Sequence, residues 1–490
     1  MNLLKKVPVS ILVLIFSAGL PLYAGAQNTD PLKILMITGG GPWHDYETQK
    51  DQIKEGLLER LSNVEITTDF EGRDTKTMES TDFKFSRHLE DDWAAEFDVV
   101  IYNHCNLQVK DEDYVKGIIA EHLKHKVPAV MLHCPIHLYQ YAEGDAADAW
   151  WDFTGAVSYA HERQDHPNTP PYTIEVLEPL HPIMKNYPRS WRTPEGELYL
   201  IVDLDDDAIP LSHAYSVETK SYSETAWTNE YQGIRVFTSS LGHHNSSMGS
   251  DVNLNLVASG VLWAAGKLEQ DGSPAPGYEG ARGLGWISLW DDPDTLNGWI
   301  ESGGVVDWTA PAFYGGMVWP TADNATAGKS FRLDGDTLIV EGDQRNLFYD
   351  GRIAGGYFKN FEFKVDVYTS PGSASGVYFH TRYEEEGTPA FGYEAQINAS
   401  RAGESKTGSL VGASDVKTTP HRDNEWFSYY IKVDGNKVTV KVNGETVNEF
   451  TEPADADGPG SLRHGTIGLA SVGSDSRVEF RNLMIRLLPD

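Results

Sequence analysis

Two rhythms of hydrophobic and polar positions divide the chain. From Lys33 to Leu268, short apolar runs alternate with longer segments whose apolar residues recur every three to four positions. KILMITGG (33–40), FDVVIYNHC (97–105), VPAVMLHC (127–134) and GIRVFTSSLGHH (233–244) read as buried strands. The segment after the first carries Ile53, Leu57 and Leu61 on one helical face. DEDYVKGIIAEHLKHK separates the second strand from the third, and LNLVASGVLWAAGKL (254–268) reads as a closing helix. Residues 33–268 are therefore expected to form a doubly wound α/β domain, a parallel sheet with helices on both faces. LEQDGSPAPGYEGARG follows, and its Gly/Pro content marks 269–282 as a linker. Beyond it the period falls to two in FEFKVDVYTS, SGVYFHTRY, GYEAQIN and WFSYYIKVDGNKVTVKVNGETV, with DGNK and NGET as hairpin turns. Residues 283–490 are expected to form an all-β sandwich.

The first residues break both rhythms. Lys5 and Lys6 precede a mainly apolar run from Val9 to Leu22, and Ala24-Gly25-Ala26 gives a small-residue cleavage pattern. Residues 1–26 read as a signal peptide, which implies export to the periplasm or beyond. No later segment is apolar enough to span a bilayer. The formal net charge of −32 repels nucleic acid and anionic lipid, so neither is expected as a partner. Cys105 and Cys134 are the only cysteines, and composition leaves open whether they pair.

Of sixteen histidines, only His380, His421 and His464 lie beyond the linker. In open α/β sheets ligands bind past the carboxyl ends of the strands. His44, His104, His133, His243 and His244 all follow or end strand-like runs there, beside Cys105 and Cys134. Imidazoles converging from four strand ends suit either a metal site or acid/base work. His88, His122 and His125 read as surface positions. Cys134 occupies a strand-to-helix turn where hydrolases of this layout place a nucleophile. Pro135 stands where such turns need glycine, which favours a packing thiol.

KILMITGG with the following WHDYE, VMLHCP, His181-Pro182, PEGELY (194–199), AWTNEYQGIRVFTSSLGHH and VLWAAGKL together resemble the trehalose-utilisation (ThuA-like) family, a branch of the class I glutamine amidotransferase-like fold. The resemblance implies a link to sugar utilisation without amidotransfer. It matches His44, His133, Glu197 and His243 to polar residues typical of the family, a second candidate site.

The second domain poses a different question. SGVYFHTRY (375–383) and FGYEAQINAS (391–400) each have one apolar and one polar side. Paired across the intervening loop, they would set Tyr378, His380, Arg382, Glu394, Gln396 and Asn398 on one sheet face. Such groups beside an aromatic ring suit a carbohydrate; the plain alternative is a solvated outer face. GWISLWDDPDTLNGW, LDGDTLIVEG, NFEFKVDV, SGVYFHTRY, GYEAQIN, KTGSLV and IGLASVGSDSRVEFRNLMIRLL resemble, in order, the 3-keto-disaccharide hydrolase domain, a concanavalin-like jelly roll. The resemblance implies an enzyme of 3-keto-glycoside hydrolase or lyase type. Glu394 would be the base, and His380 with Arg382, or a divalent metal ion near them, would stabilise an enolate. Gln396, Tyr378, Asn398 and Lys406, the last in a Lys406-Thr407-Gly408 turn, would bind the sugar. Ala470 and Val472 stand where many members carry Gln-x-His. A lectin-like sandwich is one alternative. An ordinary glycosidase with a second carboxylate from Glu384-Glu385-Glu386 is another.

Overall fold

The structure, a computed structural model, describes residues 30–162, 171–290, 296–302, 330–403, 405–456 and 461–489, and the backbone of two short strands, Phe313–Tyr314 and Met317–Val318. The expected signal peptide lies outside the described residues, as do residues 291–295 of the GWISLWDDPDTLNGW motif.

The first domain is built on a nine-stranded sheet. Val64–Glu71, Leu32–Gly39, Val99–His104, Ala129–Leu132 and Ile234–Ser239 lie side by side in that order and are parallel. Ser221–Tyr231, Ile209–Ser216, Thr173–Val176 and Ser190–Arg192 extend it antiparallel. The sheet is thus mixed, not wholly parallel as the alternation suggested. Strands joined by tight turns, as at 217–220 and 232–233, cannot make the long crossover that parallel neighbours require. The strand residues alternate between two buried faces. Ile34, Met36, Ile101 and Leu132 pack with Ile53, Leu57 and helix Asp251–Ala264. Leu35, Ile37, Tyr102 and Met131 pack with helices Glu112–His125 and Ala146–Thr154.

The second domain is a sandwich of two antiparallel sheets. In one, Phe331–Asp334, Thr337–Glu341, Arg477–Leu487, Phe361–Thr369, Trp426–Asp434, Lys437–Val442 and Glu445–Thr451 follow one another, and Trp286–Ser288 also pairs with Arg477–Leu487. The other runs Trp299–Glu301, Arg345–Tyr349, Thr466–Ser471, Ala374–Thr381, Tyr393–Asn398. Phe361, Phe363, Tyr429 and Ile431 meet Val377, Phe379, Ala395, Ile397 and Leu469 in the core between them.

The Gly/Pro-rich stretch does not behave as a free tether. The Gly280 N–H donates to the Arg60 carbonyl at 3.0 Å, Leu61 bridges Glu279, and Arg282 Nη1 lies 2.9 Å from Glu59 Oε2. Past it, Asn255 Nδ2 donates to the Trp286 carbonyl at 3.1 Å. One apolar cluster runs from the first domain through Trp191, Ile287 and Ile353 into the sandwich core. A cavity of about 320 Å³ opens at this seam, lined in part by Trp191, Asn245, Asp251, Trp290 and Arg352.

Candidate functional site

The carboxyl ends of the parallel strands gather the first site. The strand Leu32–Gly39 ends in three glycines with positive φ, and Gly40 passes so close to Cys105 that a Cβ would lie 2.8 Å from its carbonyl carbon. The turn delivers His44 next to His133 and His243, which follow two other strands. The ring centroids lie 4.8 Å apart for His44 and His133, 4.6 Å for His44 and His243, and 5.4 Å for His133 and His243. Each ring offers a nitrogen within 4.8 Å of the others. Glu197 enters from the loop before the strand Tyr199–Leu204. Its Oε2 lies 2.9 Å from His133 Nε2 and 2.9 Å from His243 Nδ1.

His133 holds a backbone conformation that non-glycine residues seldom adopt, φ 63° and ψ −102°. Strain of this kind persists where the surroundings over-determine it. Here the His133 N–H donates to the Ser239 carbonyl at 2.7 Å, and Nδ1 donates to the Ser240 carbonyl at 2.7 Å. Burial pushes the His44 and His133 imidazoles toward the neutral form, further for His44 because two other histidines face it. For Glu197, burial opposes ionisation, but contact with His133 and His243 outweighs it and holds the carboxyl below its ordinary range.

Cys105 and Cys134 form a disulfide with a Cα separation of 5.4 Å. Cys134 therefore presents no thiolate for nucleophilic attack. His104 points away from the cluster: it is buried, hydrogen-bonded to Asn106 at 2.9 Å and packed against Phe85. His122 is no surface residue either, being buried with one ring nitrogen 2.7 Å from the Tyr102 hydroxyl. His88 bonds the Tyr114 hydroxyl at 2.8 Å and is half-buried. His161, 3.5 Å from Glu197 Oε1, and Tyr199, whose ring centroid lies 4.6 Å from that of His133, join the site without having been singled out from sequence. Tyr199 was in view as the last residue of PEGELY.

In the sandwich, Tyr378 pairs directly with Glu394, and Gly376 with Gln396. Gly468 pairs with Tyr378 on the other side, and Phe348 with Gly468. One outward row thus reads Phe348, Gly468, Tyr378, Glu394, and strand alternation puts Asn346, Ala470, Gly376 and Gln396 in the next. Three small residues leave a hollow between larger ones. The Glu394 side chain leans into it, since a Cβ on Gly376 would lie 2.3 Å from Glu394 Oε1. The Tyr378 hydroxyl donates to that carboxyl. Burial raises Glu394 to about 7, and only the Tyr378 bond works against the rise. Asp350, missed from sequence, is also raised by burial, to about 6.

The expected partners do not all arrive. A one-residue bulge between Tyr378 and Thr381 lets Thr381, not His380, pair with Thr466. His380, at φ 55°, turns to the opposite side, where Nε2 bonds the Lys359 carbonyl at 2.8 Å and its ring faces Phe361 and Phe379. Arg382 lies past the strand end with its guanidinium 3.4 Å from the Phe391 ring centroid. Neither side chain contributes to the electrostatic setting of Glu394. Gln396 Nε2 donates to the Ser375 carbonyl, Asn398 Nδ2 to that of Ser405, and Lys406 Nζ to that of Arg401, so these amides and this amine brace the sheet edge. Ala470 floors the hollow.

Residues 33–264 match the model of the family described as Trehalose utilisation, and residues 285–486 that of the 3-keto-alpha-glucoside-1,2-lyase-like domain. Among solved structures, a ThuA-like protein from Bacteroides uniformis ATCC 8492 is similar at 16% identity and a TM-score of 0.37, over 50% of this chain and 97% of that one. A glycosyl hydrolase-like protein from Parabacteroides distasonis ATCC 8503 is similar at 18% identity and a TM-score of 0.32, over 42% of this chain and 94% of that one. The carbohydrate binding module CBM66 from Bacillus subtilis is similar at 12% identity and a TM-score of 0.24, over 32% of this chain and 91% of that one. No curated protein matches. The chain joins a trehalose-utilisation (ThuA) domain, an α/β fold, to an all-β domain of the 3-keto-alpha-glucoside-1,2-lyase-like family.

Proposed function

We propose that the sandwich cleaves glycosides whose sugar carries a ketone at carbon 3, with Glu394 as the proton-abstracting base. The ketone acidifies the hydrogen on carbon 2. Glu394 takes that proton, and the resulting enolate expels the group on carbon 1, which leaves as the alcohol on receiving a proton and so frees the carboxylate. Water then adds across the double bond, its hydroxyl to carbon 1 and its hydrogen to carbon 2, to complete a hydrolysis. The observation that carries this reading is a carboxyl raised to about 7 in the Gly376–Gly468–Ala470 hollow, since a general base works best near the operating pH. Among the described residues, the Tyr378 hydroxyl is the donor held against it. An ordinary glycosidase would need a second carboxyl within roughly 5–9.5 Å. Asp350 continues the strand Arg345–Tyr349, three strands away from Glu394, or about 14 Å at the usual ~4.8 Å spacing. The protein would act after export, a reading that rests on residues 1–26 and that the Cys105–Cys134 bond suits.

A second reading has its own support. With His380 and Arg382 turned from Glu394, no cationic side chain among the described residues contributes to the setting of Glu394, and a sandwich that only binds the sugar would need none. The intact chain, offered a 3-keto glucoside and its unoxidised counterpart, separates the two. Release of aglycone from the keto sugar alone, lost in Glu394→Gln, supports cleavage. Binding of either sugar without release supports the second reading.

A further inference from the structure

We infer that His44, His133, His243 and Glu197 bind one divalent first-row transition cation, zinc foremost, at the carboxyl end of the α/β sheet. The proposal is independent of the sandwich and its chemistry. It begins with a conflict between acceptors. His133 Nδ1 lies 2.7 Å from the Ser240 carbonyl, which can only accept, so Nδ1 carries the proton. In the neutral imidazole Nε2 is then a bare lone pair, yet it sits 2.9 Å from Glu197 Oε2, another acceptor. Two lone pairs at that distance repel unless a proton or a metal ion binds both.

The remaining groups crowd the same oxygen. His243 Nδ1 approaches the same Glu197 oxygen at 2.9 Å, and His44 Nδ1 is buried beside them. Among the described residues His44 Nδ1 has no partner, and His133 Nε2 and His243 Nδ1 share a single carboxylate oxygen, although all three are shut off from water. Buried polar atoms rarely go unpaired. A second proton on His133 would put a positive charge on a ring whose centroid lies 4.8 and 5.4 Å from those of two other imidazoles. A single divalent ion satisfies all three nitrogens and the carboxylate together.

The donor set indicates the ion. Imidazoles with one carboxylate favour zinc, iron, cobalt or nickel over magnesium and calcium, which prefer oxygen. The outer contacts fit as well. A ligating histidine usually donates its second N–H to a carbonyl or carboxylate, which orients the ring. His133 does so to Ser240, and His44 faces the His243 carbonyl. The Tyr46 hydroxyl, also buried and unpaired, lies close enough to feel the Glu197 charge and could meet a further ligand of the ion.

The test uses the full-length chain, stripped with chelator and then incubated with Zn²⁺ or Co²⁺. Elemental analysis after desalting should find one equivalent per chain, Co²⁺ should give the visible absorption of a low-symmetry nitrogen site, and Zn²⁺ should raise Tm. His133→Ala, His243→Ala and Glu197→Gln should each lower uptake, while Glu394→Gln should retain it. Should a histidine variant misfold, His44→Gln, on the more accessible turn, decides with the cobalt spectrum as readout. A folded stripped chain that takes up none of Zn²⁺, Co²⁺, Ni²⁺, Fe²⁺ or Mn²⁺ would overturn the proposal. So would uptake undiminished in all of these variants, which would place the ion elsewhere.

Discussion

Arg60 Nη2 lies 2.6 Å from Asp251 Oδ1, with the guanidinium wholly enclosed where the two domains meet. Arg282 of the Gly/Pro-rich stretch reaches the same carboxylate, whose Oδ2 also accepts the Ser288 N–H at 2.9 Å. One aspartate therefore ties a helix of the first domain to the entry of the second. Removing one partner of a buried pair strands the other charge, at about 3–5 kcal/mol. Asp251→Ala should lose stability of that order in urea unfolding, and the two domains should cease to unfold in one transition.

Glu394 makes activity and stability run in opposite directions with pH. Its folded value, about 7, lies above the ordinary 4.5, so the folded chain binds the extra proton between those limits. The stability it contributes is complete at the acid end and falls as pH rises toward 7. Ionisation is what a base needs, so cleavage of a 3-keto glucoside should rise over the same limb. Glu394→Gln should flatten that part of the stability profile and cut release by about 10²–10⁴-fold.

Gly376 keeps the space into which that carboxyl leans. Its backbone is not in the left-handed region, so alanine is sterically acceptable to the chain itself. The new methyl would meet Glu394 Oε1 and push it aside. Gly376→Ala should fold, while release falls by about a hundredfold, as expected for a displacement near 1 Å. Wild-type rates in that variant would remove the hollow from the chemistry.

His380 supplies a contrasting case. His380→Ala loses the bond to the Lys359 carbonyl and should cost about 1 kcal/mol. Turnover at the hollow should stay within a few-fold of wild type. A collapse of kcat with unchanged stability would mean that the residue reaches the substrate after all.

The Cys105–Cys134 bond closes a loop with a sequence separation of 29 residues. Cys105→Ser with Cys134→Ser should lower stability by about 3–4 kcal/mol on the chain-entropy account. Mass measurement before and after alkylation would establish the bond in the purified protein.

Much of this was legible in residue order, and its gaps have definite causes. The switch from helical to strand period divides the domains, and strand ends carrying His44, His133 and His243 marked the imidazole cluster, because parallel topology brings carboxyl ends together. Glu197, remote in sequence and just ahead of a strand, came only from family resemblance. The sandwich reading departs from the structure at a single bulge, beyond which neither His380 nor Arg382 meets Glu394. Alternation assumes an unbroken ladder, and nothing in SGVYFHTRY announces the bulge that moves His380 across the sheet. Nor could composition tell that a stretch rich in glycine and proline would dock, since its anchors, Arg60 and Asp251, lie far away in the chain.

The apolar cluster through Trp191, Ile287 and Ile353 has a practical corollary for anyone who divides this polypeptide at its midpoint. Each fragment would present to water a surface that normally never sees it, and would be prone to self-association. Silence from such a half would report damage at the cut, and the cavity bordered by Trp191 and Trp290 would be lost with it.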